Sequence, residues 1–277
     1  MAEDFSKVLI TGAEGVVGNY ADFGVKTDRS SMDITSLDSV LSVCRQHKPT
    51  AIIHLAAATD LAKCESDPQY AYSINSIGTY NVALAAKEIG AKMVYVSTSG
   101  IFDGKKKIPY AEDDEPNPQN YYARSKHLGE VIVKEILKDY LIVRTCWVFG
   151  GGVQKDKKFV SRIIEQLSQP EIKAVVDQIG SPTYAKDLMI GIKELIRRGE
   201  TGIVHLANKG SCSRYELAKT IAEMISPEIK VKPVSSGYFK SIGFLQSVSS
   251  RVDVMRPWHE ALREYIEKEC KPFLNLK

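Results

Sequence analysis

A chain of 277 residues, 44% of them apolar, has enough material for one large domain or two unequal ones sharing a core, and its composition is that of an ordinary globular protein. Its 37 basic residues nearly balance 34 acidic ones, and a net charge of +3 excludes the strongly basic surface of a nucleic-acid-binding protein. No apolar stretch approaches the ~20 residues of a membrane helix, so no membrane partner is expected.

The N-terminal segment Met1 to Lys7 carries two acids and does not read as a signal peptide. Lys7 to Thr11 is a short apolar run, the pattern of a buried strand. Val16 to Asp22 is expected to be a short helix. Ser36 to His47 places Leu37, Val40, Leu41 and Cys44 at helical spacing. Ala51 to Leu55 is the next strand, and Pro68 to Ile89 reads as a long helix stopped by Gly90. Met93 to Ser97 is a strand, Asn120 to Leu137 a helix, and Leu141 to Val143 the start of a further strand. Strands alternating with helices predict a doubly wound, Rossmann-type α/β fold with a parallel sheet covered on both faces. This domain spans 1–145, with 183–208 returning to it through a strand at Ile203 to Leu206. Residues 146–182 and 209–277 form a smaller lobe. Lys105 to Lys107, the one basic run, reads as a solvated loop. The cysteines Cys44, Cys64, Cys146, Cys212 and Cys270 lie far apart with no CxxC pair, which fits reduced thiols in the cytoplasm. The histidines have no metal spacing, so no metal site is expected.

Two motifs carry chemistry. After the first strand comes Gly12-Ala13-Glu14-Gly15-Val16-Val17-Gly18, with glycines at GxxGxxG spacing. Such a turn lets backbone N–H groups approach a pyrophosphate, and a following helix would add its positive end. Only fourteen residues separate Gly18 from Asp33, so the second strand must be short, and Asp33-Ile34 is expected near its end, facing the adenosine. Lys26 and Arg29 would suit a 2′-phosphate, or are solvated loop charges. NADPH and NADH both remain open. The second motif is Ser97-Thr98-Ser99 at a strand end, followed by Tyr122-Ala123-Arg124-Ser125-Lys126. Tyr122 and Lys126 lie one helical turn apart on the same face. An ammonium beside a phenol is expected to lower its pKa, so that Tyr122 can protonate a carbonyl oxygen while Thr98 hydrogen-bonds the same atom.

Together these elements resemble the short-chain dehydrogenase/reductase family in its extended, nucleotide-sugar-modifying branch. Ser97 to Gly104 is similar to the STDYVFDG segment of dTDP-4-dehydrorhamnose reductases. Arg144 to Gly150 resembles their RTSWVY and Asp177 to Thr183 their DQxGxPT. The likeness covers most of residues 7–225. It implies a catalytic set of Thr98, Tyr122 and Lys126, with Lys126 also holding the nicotinamide ribose. With the loop reading it gives a cofactor site of Gly12, Gly15, Val16, Val17, Gly18, Arg29, Asp33, Ile34, Ala56, Ala57 and Ala58, together with Tyr122 and Lys126, and a substrate site of Thr98, Ser99 and Trp147. The implied reaction is NAD(P)H-dependent reduction of the 4-keto group of a nucleotide-linked deoxysugar, dTDP-4-dehydro-L-rhamnose to dTDP-L-rhamnose. The resemblance also allows a homodimer. The family's Asp-Tyr pair after the threonine is Ser99-Gly100 here, so contacts to the sugar must differ, and a dehydratase, which needs an acidic pair there, is disfavoured. A nucleotide-sugar epimerase, and a non-catalytic NADP-binding regulatory subunit of methionine adenosyltransferase, share the scaffold and are the alternatives.

Overall fold

The computed structural model describes residues 4–273; the first residues of the segment read as lacking a leader, and the last four of the smaller lobe, lie outside them. In chain order the regular elements are β1 (Val8–Thr11), β2 (Val25–Thr27), α1 (Leu37–His47), β3 (Ala51–His54), α2 (Leu61–Ser66), α3 (Pro68–Tyr72), α4 (Thr79–Ile89), β4 (Lys92–Thr98), α5 (Tyr121–Ile136) and β5 (Tyr140–Thr145). There follow β6 (Val148–Phe149), α6 (Gly152–Lys155), α7 (Phe159–Gln166), β7 (Glu171–Val175), β8 (Gln178–Gly180), β9 (Thr183–Tyr184), α8 (Ala185–Arg197), β10 (Gly202–His205), β11 (Cys212–Ser213), α9 (Arg214–Ile225), β12 (Lys230–Val234), β13 (Phe244–Leu245) and α10 (Trp258–Tyr265). Among the described residues no helix is long and apolar enough to cross a membrane.

The chain divides into two compact units. The first comprises residues 1–102, 115–144 and 192–204. Its six-stranded sheet runs β10-β5-β4-β3-β1-β2, with β2, β1, β3 and β4 parallel to one another. The fully buried runs Val8-Leu9-Ile10 and Ala51-Ile52-Ile53 are what a strand covered on both faces requires. Leu9, Ile52, Met93 and Ile142 pack from the sheet against Val40 and Cys44 of α1, Val82, Ala83 and Ala86 of α4 and Val133 of α5 in one core cluster. The caps fall where the sequence places them. Ser36 accepts a hydrogen bond from Ser39 N–H to open α1, Asn120 does so from Ala123 to open α5, and Gly90, with φ 70°, closes α4.

Two expectations fail here. The region 16–22 is no α-helix but one 3₁₀ turn, Gly18–Tyr20, because Phe23-Gly24 must turn the chain into β2 at once. The long helix over 68–89 contains a π-helical segment, Ser73–Gly78, between α3 and α4. The second unit comprises residues 103–114, 145–191 and 205–277. Its small sheets are β11-β8-β13, the parallel pair β7-β12 and the parallel pair β6-β9. Phe149, Tyr184 and Tyr265 form a buried aromatic cluster with ring centroids 5.4–5.6 Å apart.

Candidate active site

In the first unit β1 leads to β2 on one side, and the chain then crosses back to place β3 on the other. The strand order therefore reverses between β1 and β3, and the carboxyl ends of strands at such a point are where ligands bind in doubly wound sheets. Gly12 follows β1 there with φ 64°, and a Cβ on it would lie 2.8 Å from Cα of Ala56, just past β3. That glycine is required by the protein itself. Gly15 is different. It is exposed, and a Cβ on it would meet one atom within 4 Å, the Gly12 carbonyl oxygen at 3.2 Å. The room left there, beside the half-exposed Val16 and Val17 whose amides have no acceptor among the described residues, fits an anion lying against the loop. Since the helix expected after the loop is a single 3₁₀ turn, loop amides rather than a helix dipole would hold the phosphates.

Behind this loop runs a buried hydrogen-bond chain whose direction is fixed. Ala56 N–H donates to Thr11 Oγ1 (3.1 Å), so the Thr11 hydroxyl is free to donate to His54 Nδ1 (2.7 Å). Thr79 Oγ1 donates to the Asn75 carbonyl (2.7 Å), so it accepts from His54 Nε2–H at 3.2 Å. One tautomer satisfies the whole chain. Burial, with the Lys126 charge adding to it, pulls the His54 pKa down to about 3, so the imidazole is neutral. Asn75 completes the frame: Oδ1 accepts from Ala58 N–H (2.8 Å), while Nδ2 donates to the Ala58 carbonyl and to Ser125 Oγ, both at 3.0 Å. The π segment that carries Asn75 thus locks the Ala56–Ala58 wall to α5, the helix that carries Tyr122 and Lys126.

Thr98 ends β4 and caps the 3₁₀ turn that follows, its Oγ1 accepting from Gly100 N–H at 3.0 Å. A Cβ on Gly100 would lie 3.3 Å from Thr98 Oγ1 and 4.0 Å from Cε1 of the Tyr122 ring, so these two side chains converge on one place. Tyr122 packs on the small cluster of Ala58, Cys64 and Ala71. Burial pushes the Tyr122 phenol up to about 12 against the lowering effect of Thr98, and it pulls the Lys126 amine down to about 7 against the field of Glu130. The expectation of a phenol acidified by its lysine is therefore corrected for the chain alone. Lys126 Nζ lies 4.1 Å from the centroid of the Tyr95 ring, and no hydrogen bond joins it to Tyr122 among the described residues. Desolvation dominates both groups. Glu130, one turn beyond Lys126, is held ionised in the interior by Arg144, which reaches it at 3.0 Å through Nε and 2.8 Å through Nη2.

Other expected residues are less directly placed. β2 ends at Thr27, so Asp33 is not at its end. Its carboxylate accepts from Thr35 N–H and Oγ1, which lowers its pKa. The carboxylate that does follow β2 is Asp28, bonded by Ser30 and Ser31, and the sequence reading passed over it because Val-Lys-Thr has no strand signature. Arg29 and Lys26 are exposed. Ile34 is a core residue, 8% exposed, which leaves its backbone as the part best placed for an adenine-side contact. Ser99 is 2% exposed and Lys126 3% exposed, so both side chains are buried in the chain alone. Trp147 belongs to the second unit. Its φ of 41° is unusual for a bulky residue and costs about 1–3 kcal/mol. The indole lies so close to Gly180 that a Cβ there would be 2.3 Å from its Cε2.

Comparison with known proteins fixes the family. The model of the RmlD substrate binding domain matches residues 6–269. The chain belongs to this family. It is 36% identical over 279 residues to the spore coat polysaccharide biosynthesis protein SpsK of Bacillus subtilis, covering 95% of this chain and 98% of that one. A dTDP-4-dehydrorhamnose reductase structure from Clostridium acetobutylicum superposes with a TM-score of 0.88 at 35% identity, covering 94% of this chain and 98% of the other. One from Bacillus anthracis, solved in complex with NADP, gives a TM-score of 0.88 at 36% identity with the same coverage. This RmlD-family chain is accordingly an NAD(P)H-dependent oxidoreductase of the dTDP-4-dehydrorhamnose reductase-like class.

Proposed function

We propose that this RmlD-family chain reduces the 4-keto group of dTDP-4-dehydro-L-rhamnose to give dTDP-L-rhamnose, with NADPH as the preferred cofactor. The observation that carries the reading is the convergence of the Thr98 hydroxyl and the Tyr122 ring at the end of β4, with Lys126 one turn along α5. In this reading the first unit binds the dinucleotide and the second the sugar nucleotide. Gly12, Gly15, Val16, Val17 and Gly18 hold the pyrophosphate, and Ala56, Ala57 and Ala58 form the wall beside the cofactor. Lys126 holds the nicotinamide ribose, Asp33 and the Ile34 backbone lie on the adenine side, and Trp147 lies on the sugar side. Exposed Lys26 and Arg29 favour a 2′-phosphate, and a relative 36% identical binds NADP.

A dinucleotide held by these residues would supply the hydride for the keto carbon. Tyr122, whose high pKa keeps it a phenol at neutral pH, is the acid that protonates the carbonyl oxygen, and Thr98 donates to the same oxygen. Lys126, with its pKa near neutrality, is partly an ammonium at pH 7, and in that form its charge stabilises the phenolate left on Tyr122, which water then reprotonates. The test is NADPH absorbance at 340 nm with dTDP-4-dehydrorhamnose supplied. Oxidation that disappears in Tyr122→Phe is the expected result. Absence of oxidation with keto-sugar nucleotides, despite tight NADPH binding, refutes the reading.

A further inference from the structure

The second unit contains a guanidinium that the protein's own groups do not neutralise. Arg214 opens α9 directly after its Ser213 cap. Its guanidinium carbon lies 3.6 Å from the centroid of the Trp147 ring system and 4.4 Å from that of Phe159. Among the described residues no carboxylate reaches it and no acceptor takes its N–H donors. None of its nitrogens falls among the fully sealed polar atoms that lack a partner. Arg256 in the same unit shows the ordinary arrangement, bonded to Asp187 at 2.8 Å and paired with Glu264 at 2.7 Å. Burial of the stacked guanidinium pulls the Arg214 pKa down to about 10, with the nearby Cys146 and Cys212 acting in the other direction. The stack also holds Trp147 in its left-handed conformation, with Gly180 against the same indole.

A planar fork fixed by aromatic rings, with its edge donors unused, is preorganised for an oxyanion that takes two parallel hydrogen bonds. We propose that Arg214 binds the diphosphate of a nucleoside-diphosphate ligand in the second unit. The proposal rests on the reductase reading for the identity of the nucleoside, but not for the anion. A diphosphate is favoured over a single carboxylate because it offers a bidentate oxygen pair to the fork at any rotation about its axis.

The experiment is calorimetric titration of the full chain and of Arg214→Met and Arg214→Lys with thymidine diphosphate, thymidine, uridine diphosphate and inorganic pyrophosphate. Methionine keeps the stacked volume without the charge. Arg214→Met is expected to weaken thymidine diphosphate binding at least tenfold and to leave thymidine binding within twofold. Arg214→Lys, which keeps the charge but loses the fork, falls between them, and it carries the test if the methionine variant fails to fold. Unchanged diphosphate affinity in the variants overturns the proposal, and so does a wild-type chain that binds none of the diphosphates. A wild-type chain that binds diphosphates through Arg214 but oxidises no NADPH with a keto-sugar nucleotide upholds the clamp and removes the reductase reading.

Discussion

Replacing Lys126 by methionine should make the protein more stable while abolishing its activity. The amine moves from 10.5 in a solvated chain to about 7 in the folded one, because burial outweighs the favourable field of Glu130. Each pKa unit corresponds to 1.36 kcal/mol, so at pH 7 keeping the amine inside the fold costs roughly 4 kcal/mol relative to a neutral side chain. Against this stands the contact with the Tyr95 ring at 4.1 Å, worth about 1–2 kcal/mol when desolvated. Methionine matches the stem and brings no charge, so the net gain should be about 2 kcal/mol. The sign follows from proton counting. Between pH 7 and pH 10.5 the unfolded chain binds more protons at this site than the folded one, so wild-type stability rises with pH through that window. The advantage of the variant should accordingly be greatest at and below pH 7 and vanish near pH 10.5. Urea unfolding of both proteins at pH 7 and at pH 9.5 measures it. A variant less stable than wild type at pH 7, or an advantage that grows with pH, would refute the claim that desolvation governs this amine.

Other expectations follow from the same geometry. Tyr122→Phe should lower kcat at least about 100-fold with an unfolding midpoint close to that of wild type, read from NADPH oxidation and thermal melts. Gly129→Ala would bring a Cβ within 2.9 Å of the Asn75 carbonyl oxygen and still nearer the Tyr95 hydroxyl that bonds the Lys126 carbonyl, so it should destabilise by about 1–3 kcal/mol in urea unfolding. Asn75→Ala strands the Ala58 amide and leaves its carbonyl only the weak Cys64 thiol donor, at about 1–3 kcal/mol, and should weaken NADPH binding as the wall loosens; faster hydrogen exchange at Ala58 would report it.

The parallel sheet was legible because β1, β3 and β4 are continuous apolar runs, and α1 and α5 because caps and helical spacing agree. The region between Gly18 and α1 was not. β2 is three residues of mixed character, which let Asp33 stand in for Asp28 as the carboxylate after the strand. The π segment was hidden because an inserted residue leaves the apolar composition of a helix unchanged, although its widened turn is what aims Asn75. The spacing of Tyr122 and Lys126 on α5 was evident from sequence, but not their electrostatics, since the burial that sets both pKa values comes from Tyr95 and the Ala58 cluster, distant in the chain. Arg214 gave no signal at all, because its partners Trp147 and Phe159 meet it only in three dimensions.

The directed run from Ala56 through Thr11, His54 and Thr79 to Asn75 has an evolutionary corollary. Each hydroxyl or imidazole in it both gives and receives, so replacing one alone orphans its two neighbours in the interior. Drift at these positions should proceed in concert, as whole sets exchanged together, and lineages that retain His54 should retain Thr11 and Thr79 with it.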